Sequence, residues 1–411
     1  MMYVIKKLDG LFNRSFFERI IIYCFLSELI VKVVFELALG KWWFALSPVK
    51  QIILYAIFAI DYLVNYRKLM AIRFWSNPVF YFMLVMLVMI VQGTFVGIYN
   101  HNAPFEIFND SFPLLLMAIN SLRLQSSVES KPEIDFPFLI QFCSLMSVLI
   151  CLLGFAATSI GLPSTKAISG VIAGVYIVLF IAALLTGYPV KFLHWLCFFI
   201  VLGFSAGDFN RTTLAFFLIS GVVMFLKLSF RKPFAALLFI FIISLLGAGL
   251  WNFLPNDSKT KQRFTDLAQL SSQSRTGSVG ERMSEWVSIQ EKVAQNGTTA
   301  RWIGLGHGAL YDVRYTFRVI KDYGFAHFAW ALFYFRYGLS GYVYLGLLTF
   351  MLMWQTFRYW SFTSPLKMTI SLLSLLSILY LATYINFVIL CMGLQFLVLR
   401  QSNNVKPPPS T

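Results

Sequence analysis

Charge is scarce in this chain. Only 12% of its 411 residues are Asp, Glu, Lys or Arg, about half of the roughly 25% carried by a soluble domain. With 58% hydrophobic residues and a mean hydropathy of +0.73, that scarcity excludes an ordinary soluble enzyme and points to an integral membrane protein. A count of soluble domains from length therefore has no meaning here. Cysteine is also sparse. Cys24, Cys143, Cys151, Cys197 and Cys391 all lie in apolar stretches and none forms a CxxC pair, so no disulfide framework and no metal site is expected. Acidic residues are outnumbered and the net charge is +15. No basic-aromatic surface module accompanies that charge, which argues against nucleic acid and for basic loops beside anionic lipid. The basic N-terminus is followed by no small-residue cleavage motif, so no cleavable signal peptide is expected. No internal repeat is evident. Ser271–Ser278 reads as flexible, and residues 401–411, with Pro407–Pro409, as a disordered cytoplasmic tail.

What the chain does have is apolar segments of spanning length, about 20 residues each. Candidate spans centre on residues 20–39, 50–65, 78–99, 104–121, 137–160, 166–187, 190–206, 211–228, 233–254, 324–338, 340–357 and 367–399. The fold expected is an all-α integral membrane protein of about twelve transmembrane helices, with one large extracytoplasmic loop containing short helices. Residues 1–254 form the first bundle, 255–323 the loop and 324–400 the C-terminal helices; 367–399 fits one tilted helix or two short ones. The first span carries Glu28, Lys32 and Glu36 on one stripe, where i,i+4 pairing lowers their cost. The fourth, with Pro104, Glu106, Asp110 and Pro113, is weakly hydrophobic and reads as broken or re-entrant. Its two carboxylates fit structural capping better than acid–base chemistry. With the N-terminus inside, the short cytoplasmic loops and termini hold 16 Lys/Arg and the short outer loops 6. This predicts cytoplasmic N- and C-termini and an outer location for the long polar loop.

That loop, Asn256 to Asp322, carries ten Lys/Arg. Ser278-Val279-Gly280-Glu281 has capping-box spacing and predicts a helix to about Gln295, stopped by Gly297, with Met283, Trp286, Val287 and Val293 as its apolar side. Arg282 sits in the first turn, where the helix dipole disfavours a cation. It fits a phosphate held between guanidinium and free amides; equally, it fits a solvated arginine paired with Glu285. Gly304-Leu305-Gly306-His307-Gly308 lacks the Lys-Ser/Thr of a P-loop and reads as backbone geometry. Residues 309–322 read as an amphipathic surface helix, with Leu310, Val313, Phe317 and Ile320 on one face and Arg314, Arg318 and Lys321 on another. His327 follows at the mouth of the next span, placed to take a proton from a hydroxyl, although a lone histidine among aromatics is commonly structural. Arg211 opens a span on the same outer side, with a salt bridge to Asp208 as its ordinary role.

Four local patterns carry a resemblance. They are Asn210-Arg211-Thr212-Thr213-Leu214, Gln262-Arg263-Phe264, Ser278-Val279-Gly280-Glu281-Arg282 followed by Trp286, and His327 followed by Tyr337-Gly338-Leu339-Ser340-Gly341. In order and spacing they resemble the O-antigen ligase and O-antigen polymerase superfamily of bacterial membrane glycosyltransferases, over roughly residues 200–350. Phe328 departs from the family's usual Asn after the histidine. The resemblance implies a GT-C-like fold in the bacterial inner membrane. It implies metal-independent, cofactor-free transfer of a glycan from an undecaprenyl-diphosphate carrier to a sugar hydroxyl at the periplasmic face. The acceptor would be lipid A-core in a ligase, or a carrier-linked repeat unit in a polymerase. His327, Arg211 and Arg282 would be catalytic, and Arg263, Arg275, Arg314 and Arg318 would bind the diphosphate. A lipid-linked oligosaccharide flippase is the rival class, but it would show inverted repeats and polar residues at the midplane.

Overall fold

The computed structural model describes residues 16–30, 78–112, 114–115, 135–159, 170–207, 278–315, 319–324 and 326–381, with a few single positions elsewhere. The candidate spans 50–65, 211–228 and 233–254 lie almost wholly outside these residues. The described part is mostly helical. Its elements are α1 (Phe16–Ile30), α2 (Pro78–Tyr99), α3 (Phe136–Ser159), α4 (Gly170–Thr186), α5 (Phe192–Gly207), α6 (Ser278–Gln295), α7 (Gly297–Ile303), β1 (Tyr311–Arg314), β2 (Val319–Tyr323), α8 (Ala329–Tyr337), α9 (Leu339–Tyr359) and α10 (Pro365–Leu381). Residues 104–112 form a further short helix after α2. Among the described residues, one segment, Phe136–Ala157, is both long and apolar enough to cross a bilayer, and several apolar helices are shorter.

The bundle is built around α4. Its residues from Val175 to Ala183 are all at most 3% exposed, as expected of a helix that is hydrophobic all round. It packs against α3, α5 and α10, and α10 packs in turn on α9. Small residues let these helices approach. Ser374 and Ser377 of α10 turn their hydroxyls back to carbonyls of their own helix, and Ser371 donates across to the Thr356 carbonyl of α9 at 2.7 Å. Their polar atoms are thereby satisfied inside an apolar layer.

The polar loop folds into a cap with its own core, in which Ile289, Val293, Leu305, Ala309, Tyr311 and Val313 meet Ala331 and Phe335 of α8. α8 joins cap and bundle. Ala329, Phe333 and Tyr337 belong to the bundle core, whereas Ala331 and Phe335 belong to the cap core. Segment 324–338 is thus a nine-residue helix, about 13.5 Å long by its rise and less than half of the roughly 30 Å hydrocarbon thickness. It reads as a span in the sequence because protein, on both faces, buries its apolar residues. Arg336, one of the 16 Lys/Arg that the charge count places on the cytoplasmic side, is instead buried against the cap.

β1 and β2 stand where the sequence predicts an amphipathic helix over 309–322. They pair antiparallel as the two legs of a hairpin, Val313 with Ile320 and Arg314 with Val319, with a bulge between Tyr311 and Val313. Tyr311 and Val313 point into the cap core while Asp312 and Arg314 face out. That alternation has period two, the strand period.

Candidate functional site

α6 is described from Ser278 and ends at Gln295, the end expected from Gly297. Its buried stripe is Glu285, Ile289 and Val293, at i, i+4 and i+8. Met283 and Val287, expected on the apolar side, are 49% and 47% exposed. A carboxylate therefore stands where the helix turns towards the cap core, and Glu285 is 1% exposed.

Three donors meet that carboxylate. His327 Nδ1 lies 2.6 Å from Oε1, and the His327 backbone N–H donates to Oε2 at 2.9 Å. The Tyr315 hydroxyl donates to Oε1 at 2.7 Å. Burial by itself pushes the Glu285 pKa up, but the hydrogen bonds from His327 and Tyr315 outweigh it, and the net shift is downward. Burial, and then the neighbouring Glu285, push the Tyr315 phenol upward, so it remains a donor. An ionised carboxylate opposite Nδ1 calls for the tautomer protonated there, which leaves the lone pair on Nε2.

Arg282 lies one turn before Glu285. Since both Glu285 oxygens accept from His327 and Tyr315, its guanidinium lies instead over the Phe328 ring, 5.6 Å from the centroid. Burial lowers its pKa, opposed by Glu285 and Glu281; an arginine so shifted keeps its charge. Phe328, the residue after His327, thus links arginine and histidine. Its ring stacks on Trp330 at 5.3 Å, and Trp330 packs edge-on against Trp286 at 4.4 Å.

Of the residues expected at the site, the structure brings His327 and Arg282 together. Arg314 sits exposed at the end of β1, immediately before Tyr315. Arg211, Arg263, Arg275 and Arg318 lie outside the described residues. Asp110 is structural: it accepts from the Gly308 N–H at 2.7 Å and pairs with Arg336 at 2.8 Å. Glu285 as the histidine's partner, and Tyr315, were not singled out from the sequence. The available signal was a Glu in register with Ile289 and Val293. Among the described residues, no group of three or more His, Cys, Asp or Glu is assembled to hold a metal ion.

The glycine turn has a definite task. Gly304, Gly306 and Gly308 have φ of +78°, +77° and +74°, which L side chains rarely adopt. The turn lies against Gly93 and Gly97 of α2, and a Cβ on Gly97 would come within 2.5 Å of the His307 carbonyl oxygen. The His307 N–H donates to the Gly93 carbonyl at 2.7 Å. Its ring is buried, with Nε2 2.8 Å from the Tyr337 hydroxyl. Burial pushes its pKa down to about 4, so His307 is neutral and structural. No family model matches this chain, and no curated protein matches it either.

Proposed function

We propose that this chain is a membrane glycosyltransferase. It moves a glycan from an undecaprenyl-diphosphate carrier to a sugar hydroxyl at the periplasmic face of the inner membrane, and its reaction is O-antigen ligation to lipid A-core. The observation that carries the reading is the hydrogen bond between His327 Nδ1 and the buried Glu285 carboxylate. Glu285 orients the imidazole and stabilises the imidazolium that forms on proton uptake, the logic of a carboxylate–histidine pair. His327 Nε2 accepts the proton of the acceptor hydroxyl. The hydroxyl oxygen attacks the anomeric carbon, and the carbon–oxygen bond to the diphosphate breaks. Arg282 meets the charge that develops on the leaving diphosphate. Arg211 and Arg263 join it by the family resemblance, and Arg275, Arg314 and Arg318 hold the carrier.

Membrane residence draws support from two exposed apolar stripes. Leu84, Val88, Val91, Phe95 and Ile98 of α2 are 43–70% exposed, and so to a similar degree are Val343, Leu347, Phe350, Trp354 and Phe357 of α9. Contiguous apolar surface of this extent marks contact with lipid or another protein. Both ends of α8 abut the cap: Arg282 lies over Phe328, and Gly338 packs against the Arg301 carbonyl. α8 therefore leaves the chain on the loop side, and a cytoplasmic C-terminus needs an odd number of crossings from α9 onward.

The test uses cells lacking the chromosomal copy, with lipopolysaccharide resolved on a gel beside the carrier-linked glycan pool. Long glycan missing from lipid A-core, with long chains accumulating on the carrier, is the expected result. Core bearing a single repeat unit assigns a polymerase instead. An unchanged pattern removes lipopolysaccharide as the product. His327→Ala, Arg282→Ala and Arg211→Ala are each expected to abolish complementation at normal protein levels. Normal transfer by all three sinks the site assignment.

A further inference from the structure

We infer that Arg336 is a positioning residue for the His327–Glu285 pair, acting by closing the neck of the hairpin that carries the donors to Glu285. The inference rests on the functional reading above. Arg336 stands at the far end of α8 from His327. Its buried guanidinium reaches three separate stretches of chain. Nη1 donates to the Ala309 carbonyl at 2.5 Å and makes a longer contact, 3.5 Å, with the Gly306 carbonyl. Nη2 donates to the Gly324 carbonyl at 2.8 Å and pairs with Asp110 Oδ2 at 2.8 Å. The backbone adds to this, since the Gly306 N–H donates to the Arg336 carbonyl at 3.0 Å.

These contacts matter because of where they fall. Ala309 lies two residues before β1, and Gly324 is the first residue after β2. One planar guanidinium therefore grips both legs of the hairpin. Immediately beyond β1 comes Tyr315, and three residues beyond Gly324 comes His327. Both donate to Glu285. If the neck opens, the two donors move relative to a carboxylate held on α6, a different element. Asp110 balances the buried cation and also takes the Gly308 N–H, which ties the neck to the short helix over residues 104–112. A lysine keeps the charge for Asp110, but its single nitrogen has no fork to hold both carbonyls.

The experiment takes full-length wild type, Arg336→Lys, Asp110→Asn and Glu285→Gln in nanodiscs. The first readout is carbethoxylation of His327 by diethyl pyrocarbonate, resolved by peptide mass spectrometry between about pH 5 and pH 8. The reagent takes the unprotonated ring. The second is glycan transfer, with kcat and KM measured separately. Arg336→Lys is expected to displace the rate of His327 modification at a given pH by about twofold or more, in the direction of Glu285→Gln. It is expected to lower kcat about tenfold or more, with KM for the carrier-linked donor within about twofold. A wild-type modification profile and a wild-type kcat overturn the inference, whatever happens to the melting temperature, and reduce Arg336 to a structural tie. If wild type transfers no glycan, the functional reading falls, while carbethoxylation still decides the role of Arg336. If Arg336→Lys does not accumulate, Asp110→Asn decides by the same readouts, because its amide oxygen still accepts from Gly308; a smaller displacement in the same direction is expected, and none overturns the inference.

Discussion

Gly93→Ala adds one methyl group to α2, and the structure makes that methyl expensive. A Cβ at Gly93 would stand 2.3 Å from His307 Nε2, 2.5 Å from Cδ2 and 2.7 Å from Cε1. The ring has no room to yield. It is 1% exposed, its Nε2 is bonded to the Tyr337 hydroxyl, and its own N–H is held by the Gly93 carbonyl. Overpacking of this kind costs about 1–3 kcal/mol, and a buried Tyr337 hydroxyl left without its partner adds about 1–3 kcal/mol. Removing a helix-interior glycine returns up to about 1 kcal/mol. The net expectation is a loss of about 1–5 kcal/mol from these same terms. Gly203→Ala on α5 is the matched control, because a Cβ there meets nothing within 4 Å; it is expected to hold or slightly raise stability. Thermal unfolding of the purified proteins in one detergent, followed by tryptophan fluorescence, compares them directly. A Gly93→Ala melting temperature equal to or above that of Gly203→Ala refutes the docking of the glycine turn on α2.

Further outcomes follow from the site and its surroundings. Glu285→Gln sets an amide N–H2 against a histidine donor, so glycan transfer is expected to fall about 10²–10⁴-fold, the range of a misoriented or wrongly protonated base, while the protein accumulates normally on immunoblots. Tyr315→Phe removes one donor to Glu285 and is expected to cost about 1 kcal/mol. The Glu285 pKa then rises, so the acid limb of the pH–activity profile moves to higher pH. His307 titrates near 6.5 when unfolded and at about 4 when folded, so the unfolded state binds the extra proton between those values. Stability is therefore full above pH 6.5 and falls as the pH drops towards 4, by about 3 kcal/mol from this residue. Glu285 adds to the loss in the same direction, because its depressed pKa contributes stability that vanishes as its carboxylate protonates. Comparing unfolding midpoints of wild type and His307→Gln between pH 4 and 7 isolates the histidine's share, and equal slopes would refute it.

The legible parts are those decided by short-range chemistry. The stop of α6 could be read from Gly297, whose φ is +84°, since a left-handed position ends a helix locally. The hairpin was missed because Leu310, Val313, Phe317 and Ile320 match a helical period, while the competing alternation of Tyr311 and Val313 spans only four residues. A strand gains its hydrogen bonds from a partner, and the pairing of Val313 with Ile320 is invisible to a periodicity count. α8 was read as a span for a related reason. Hydropathy records that a side chain is withdrawn from water, not whether lipid or protein withdraws it.

Composition, the order of the motifs, the basic loop and the end of the helix that carries Arg282 were all present in the linear chain. They rest on local backbone preference and on the cost of exposing apolar surface to water. Which carboxylate meets His327, which aromatic ring lies under Arg282, and why Arg336 and Asp110 are charged were decided by tertiary structure. Glu285 and His327 are 42 residues apart and Asp110 and Gly308 are 198 apart. Such pairs exist because the glycine turn docks on α2 and α8 is enclosed between two cores. A buried charge is tolerated only where a partner waits, and the position of that partner depends on the whole cap having closed.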